Sequence, residues 1–122
     1  SGIIALSPGE YSQRVVVRGN RTVKFISCSA RQVVWKSKLG PTVEVCEGAA
    51  VFLTNLTIML GEQASLGSMS SRSSVAAVHV SQGFLSVDHC DVVSKHNGIV
   101  IDSGTCECTN SDLRAEETVF KG

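Results

Sequence analysis

Asp91 and Asp112 are the two carboxylates whose spacing most invites chemistry, since they stand 21 residues apart in stretches of similar pattern. On neighbouring rungs of one structure they could share a proton or a cation. The competing reading is two solvated surface aspartates, and it is the stronger one. His89 is a candidate general base, but it occupies a position that asparagine fills in two related stretches (Asn55 and Asn110), which favours a hydrogen-bonded structural histidine. Cys106 and Cys108 form a C-x-C pair. With neither a second pair nor histidines at ligand spacing, they point to core thiols rather than a metal site. No glycine-rich phosphate loop and no nucleophile motif is present. The residues therefore imply no catalytic group, no metal and no cofactor.

Three stretches must position these residues: 42–58 (TVEVCEGAAVFLTNLTI), 77–92 (AVHVSQGFLSVDHCDV) and 97–113 (NGIVIDSGTCECTNSDL). Each has an alternating apolar run, a turn with glycine, a second alternating run, a polar residue (Asn55, His89, Asn110) and a short third run. Superposing them aligns Val43 with Val78 and Ile99, and Val45 with Val80 and Ile101. The second run aligns Val51, Leu85 and Cys106, then Leu53, Val87 and Cys108. The third aligns Leu56, Cys90 and Ser111, then Ile58, Val92 and Leu113. The first copy carries one extra residue, assigned to Ala49 or Ala50. Period-2 alternation puts one set of side chains on one face of each run, and a repeat this short buries that face only by stacking on its neighbours.

Parallel neighbours normally need a crossover of a dozen or more residues. Here two further strands serve as that crossover, so the chain winds as a three-sided coil. The expected fold class is all-β: a right-handed parallel β-helix of about four coils, three strands per coil, in a single domain over residues 3–122. Asn55, His89 and Asn110 form a polar stack at the bend between the second and third strands.

The run SKHNGIVI with the later CTNSDL resembles the repeat of the right-handed parallel β-helix, pectin-lyase-like superfamily. The segment IIALSPGEYSQRVVV is similar to that family's entry, an apolar strand, Pro-Gly-x-Tyr and a second strand. The resemblance covers roughly residues 3–113. It implies a polysaccharide lyase or hydrolase, or a non-enzymatic protein such as an intracellular adaptor. The lyases would require clustered carboxylates for calcium plus a basic proton acceptor, and the hydrolases several aspartates on the first sheet. The outward residues expected on that sheet are Glu44, His79 and Val100, which meet neither pattern and offer one carboxyl group where a hydrolase needs two. The non-enzymatic type fits better.

Composition narrows the classes further. Hydrophobic residues make up 43% of the 122, enough for a core, and with four Phe, one Tyr and one Trp the interior should be aliphatic. Lys plus Arg and Asp plus Glu balance at 11 each, so no charge excess steers the chain to nucleic acid or to an acidic membrane. No apolar run approaches the ~18 residues of a spanning helix, and no signal segment appears. Five cysteines is an odd count, which favours reduced thiols and an intracellular (cytoplasmic or nuclear) protein over a disulfide framework. Of two N-x-T sequons, at Asn20 and Asn55, the second falls in the polar stack, where a glycan has no room.

Upstream of the three stretches, residues 3–6 read as an entry strand, 7–10 as a turn, and 15–17, 23–26 and 33–35 as the first full coil. Val15 to Val43 and Val23 to Val51 are both 28 residues. Ser1-Gly2 has the character of a cloning remnant. Residues 61–74 (GEQASLGSMSSRSS) read as a loop insertion that either is tolerated on the surface or walls a groove over the first sheet. Residues 114–122 break the alternation and read as a tail or cap, with Val119 and Phe120 across the open end.

The expected function is a non-catalytic β-helix scaffold for protein–protein interaction or self-assembly, on its own or as one module of a larger intracellular protein, with a protein partner, homo-oligomers through the β-helix ends, no nucleic acid and no membrane. Candidate contacts are Glu44, Phe52, His79 and Arg72. The alternative is a carbohydrate-binding or polysaccharide-cleaving protein, resting on fold analogy.

Overall fold

The structure, a computed structural model, describes residues 2–27, 33–37, 41–60, 76–94, 97–115 and 120–121. All regular structure among them is β-strand, and every pairing is parallel. Among the described residues fifteen strands wind as a β-solenoid of about four coils, in which every third strand falls in the same one of three five-stranded sheets, one full turn apart. The first sheet stacks β3 (Val15–Val17), β6 (Val43–Val45), β9 (Ala76–Val80), β12 (Asn97–Ile101) and β15 (Phe120–Lys121). The second stacks β1 (Gly2–Leu6), β4 (Thr22–Ser27), β7 (Ala49–Thr54), β10 (Gly83–Asp88) and β13 (Gly104–Thr109). The third stacks β2 (Gly9–Tyr11), β5 (Val33–Ser37), β8 (Thr57–Leu60), β11 (Asp91–Ser94) and β14 (Asp112–Ala115).

The ladders reproduce the aligned residues. Val43 pairs with Val78 and Val78 with Ile99; Val51 pairs with Leu85 and Leu85 with Cys106; Ile58 pairs with Val92 and Val92 with Leu113. The 28-residue spacing holds as well, in Val15 with Val43 and Val23 with Val51. Alternation then sorts the side chains. β7 reads buried, half-buried, buried along its length, with Ala49, Val51 and Leu53 inside. The shaft is filled by these residues with Leu56, Ile58, Leu60, Val78, Val80, Leu85, Val87, Cys90, Val92 and Ile99. Each Leu or Ile so enclosed contributes roughly 1.5–3 kcal/mol of burial.

Four expectations need correction. The extra residue of the first copy is not Ala49 or Ala50, because Ala49 already sits in the ladder against Gly83. It lies in the turn Cys46-Glu47-Gly48, where Glu47 (φ 58°) and Gly48 (φ 81°) both take left-handed conformations and absorb the added length. The entry is longer than a strand and a turn, since Gly9–Tyr11 pairs with β5 and starts the third sheet. The interior is aliphatic except toward the N-terminal end, where Phe25 and Trp35 are buried edge to face with centroids 5.1 Å apart. Trp35 is admitted because its indole N–H donates to Gln13 O at 2.6 Å. Finally, Arg114 and Ala115 extend β14, and Phe120–Lys121 pairs in parallel with Ile99–Val100. The tail thus continues the winding instead of lying across the end. Val119 and the 61–74 insertion lie outside the described residues.

Candidate functional site

On the outer face of the first sheet, the stacking of β6 on β9 brings Glu44 beside His79, with Oε2 3.5 Å from Nδ1. Two residues missed by sequence reasoning complete a row across the coils. The Arg14 guanidinium donates to Glu44 Oε1 at 3.1 Å and to Pro41 O at 2.8 Å. Asp102 Oδ2 lies 2.8 Å from His79 Nε2. Both missed residues sit just outside strands, beyond the reach of alternation. With a carboxylate at each ring nitrogen, His79 has no lone pair directed at solvent, and no nucleophile lies in the row. The arrangement suits a tether between coils. Its partly exposed ion pairs contribute little each, about 0–1 kcal/mol. Val100, expected outward next to His79, is buried at 4% exposure, and so is Ala77, so the open part of this face is smaller than the alternation implies.

Phe52 lies on a different face, the outer side of the second sheet, and does not join Glu44 and His79. There it packs against Phe84, centroids 5.5 Å apart, with Lys24 Nζ 5.4 Å from its ring centroid. Phe84 was legible in principle, since it shares parity with the outward Ser86. Arg72 lies outside the described residues.

On the third sheet Asp91 and Asp112 are ladder partners in adjacent coils. Arg114 Nε lies 3.5 Å from Asp112 Oδ2, an exposed ion pair within β14. Among the described residues no group of three or more His, Cys, Asp or Glu could hold a metal ion.

The three bend residues Asn55, His89 and Asn110 all adopt left-handed backbone, with φ of 60°, 54° and 51°. Asparagine and histidine are enriched in that region. The bends stack through main-chain bonds, Asn55 N to Asp88 O at 3.1 Å and His89 N to Thr109 O at 3.0 Å. Asn55 Nδ2 donates to Ser27 O at 3.2 Å, so the nitrogen a glycan would need already holds the coil below. His89 is exposed, with Nδ1 3.0 Å from Asp88 Oδ1. Substituting Asn55→Ala should cost about 2 kcal/mol by combining left-handed strain with a lost hydrogen bond. Asn55→Gly should cost less, and urea denaturation of the two variants checks the order.

On β13, the outermost strand of the second sheet among the described residues, Cys106 and Cys108 share the parity of the inward Leu85 and Val87. Cys106 is half-buried and Cys108 exposed, which corrects the reading of both as core thiols. Their sulfurs are 3.7 Å apart. Hydrogen bonding from Cys106 lowers the Cys108 thiol to about 7, and that same bond, with burial, raises Cys106. Cys90, one coil deeper, is buried, and desolvation pushes it to about 11.

Among the described residues the outermost strands of each sheet have one ladder neighbour each. The inward column Ile4–Phe25–Leu53–Val87–Cys108 starts on Ile4, 45% exposed, and finishes on exposed Cys108. With Ile3 (67%) on the outer face of the second sheet and Val16 (37%) on that of the first, Ile4 makes up the exposed large hydrophobics among the described residues. No family model, curated protein or solved structure matches the chain.

Proposed function

We propose that the protein is a non-catalytic β-helix scaffold whose coil ends mediate protein–protein association, with a second copy of the chain as the partner. The observation that carries this reading is an apolar column that reaches β1 at Ile4, 45% exposed, on outermost strands that have one ladder neighbour each among the described residues. Unpaired edges template further strands. The two ends also match in outline. β1, β2 and β3 begin the second, third and first sheets, and β13, β14 and β15 finish the same three. A copy stacked head to tail sets Ile4 over Cys108 and Tyr11 over Leu113, continuing those two columns. Such a contact is heterologous and grows until something caps it.

Membership of the right-handed pectin-lyase-like superfamily, in its non-enzymatic branch, and an intracellular setting belong to the same proposal. The three-sided parallel winding and the thiols left unpaired among the described residues support them. Sedimentation velocity over a wide concentration range tests association. The mean mass should rise with concentration, and Ile4→Lys should return it to the monomer without changing the far-UV circular dichroism. A monodisperse monomer at the highest concentration overturns the reading.

A second reading, carbohydrate binding, draws on the Phe52–Phe84 pair on a flat outer sheet. Binding on a glycan array that disappears in Phe52→Ala and Phe84→Ala would favour it over association.

A further inference from the structure

The neutral total charge conceals a segregation along the chain. Seven of the eleven Lys and Arg fall in residues 1–40, against one of the eleven Asp and Glu. Successive coils stack in chain order, so this surplus stays with β1–β5 instead of being averaged over the surface.

Three of these cations border the face that carries the aromatic pair. Arg18 and Arg21 are exposed in the connection between β3 and β4, and Lys24 is exposed on β4 itself. Lys24 is the ladder partner of Phe52, with Nζ 5.4 Å from the ring centroid, and the Phe84 ring on β10 follows 5.5 Å from that of Phe52. No carboxylate among the described residues forms an ion pair with Arg18, Arg21 or Lys24. β4, β7 and β10 are inner strands of the second sheet, each with a neighbour on both sides. Lys24 and the two rings are therefore presented sideways, whatever lies beyond the outermost strands.

We propose that this face binds single-stranded nucleic acid, with Arg18, Arg21 and Lys24 holding phosphates and Phe52 and Phe84 stacking unpaired bases. Cations fix the backbone of such a ligand, and every base has a flat side that a ring on a sheet accepts. One rung of about 4.8 Å separates Lys24 from Phe52, so a nucleotide whose phosphate meets Lys24 lays its base over the rings. Lys24 then exchanges the Phe52 ring for the phosphate. The acidic side of the same face selects against broader anions. Beyond Phe52 the outward column continues through Ser86 to Glu107, and Asp88 stands on the same side of β10. An anionic membrane laid on this sheet would press on both carboxylates, whereas a narrow strand keeps to the cations and rings. A duplex hides its base faces, and a neutral sugar gains nothing from the cations.

The test is fluorescence anisotropy of labelled oligouridylate and oligodeoxythymidylate of about 12 nucleotides, titrated with the whole protein at several salt concentrations. Either strand should bind, log affinity falling against log salt with a slope of about −2, as three phosphate contacts require. Arg21→Gln and Lys24→Gln should each weaken binding and reduce the slope by about 0.7. Phe52→Leu and Phe84→Leu keep apolar bulk and lose the ring, and each should weaken binding at least about fivefold at an unchanged slope. Arg114→Gln, on the third sheet, should bind as the wild type does. No oligonucleotide binding at low salt overturns the proposal, with or without capture of phosphatidylserine vesicles. An affinity indifferent to both ring replacements overturns it too, because that marks a plain polyanion contact. Copies stacked through their outermost strands leave this face uncovered, so this proposal and coil-end association can each fail alone.

Discussion

Replacing Gly83 by alanine should destabilise the protein by about 2–5 kcal/mol, since left-handed strain and overpacking act together. Gly83 opens β10 at φ 146°, a backbone that L side chains rarely adopt. A Cβ there would come within 2.3 Å of Ala49 O and 3.0 Å of Val45 Cγ1. The first obstacle is main chain on the neighbouring coil, so no rotamer change relieves it. Ala49, Gly83 and Gly104 are successive ladder partners, and a Cβ at Gly104 would meet Gly83 O just as closely. The corner between the first and second sheets thus turns within the width of bare backbone. Urea denaturation of Gly83→Ala beside Gly2→Ala, where a Cβ meets nothing within 4 Å, gives the comparison. The Gly2 variant should unfold at the wild-type midpoint and the Gly83 variant far below it. Equal midpoints would mean that the coils are not stacked at this corner.

Leu53→Ala should cost about 3 kcal/mol, the transfer loss of the side chain plus the cavity left behind. Leu53 is fully buried at the middle of its column, between Phe25 and Val87. Ile4→Ala removes a comparable side chain from the open end of the same column, where 45% of the residue already meets water. Its cost at monomeric concentrations should stay well below that of Leu53→Ala. The gradient along one column is characteristic of a solenoid, in which each turn contacts only its neighbours. Similar losses for both variants would point to an interior closed at its N-terminal end.

The chain's own residues determined the column register. Side chains alternate with period two, so a one-residue slip in any strand would move its valines from shaft to solvent. That constraint fixed Val43 over Val78 and Leu53 over Val87 before any coordinates, and it singled out Asn55, His89 and Asn110 as bend positions. Their left-handed φ supplies the reason that glycine-like polar residues recur there. What only the tertiary structure decided lies where alternation stops. Arg14 and Asp102 sit beside strands, and whether they reach Glu44 and His79 depends on how the corners turn. The extra residue went into Cys46-Glu47-Gly48 because two left-handed residues there could absorb it. The same limit applies to Cys106 and Cys108. Parity alone aims them inward, but burial requires a strand on both sides, and β13 has one on a single side among the described residues.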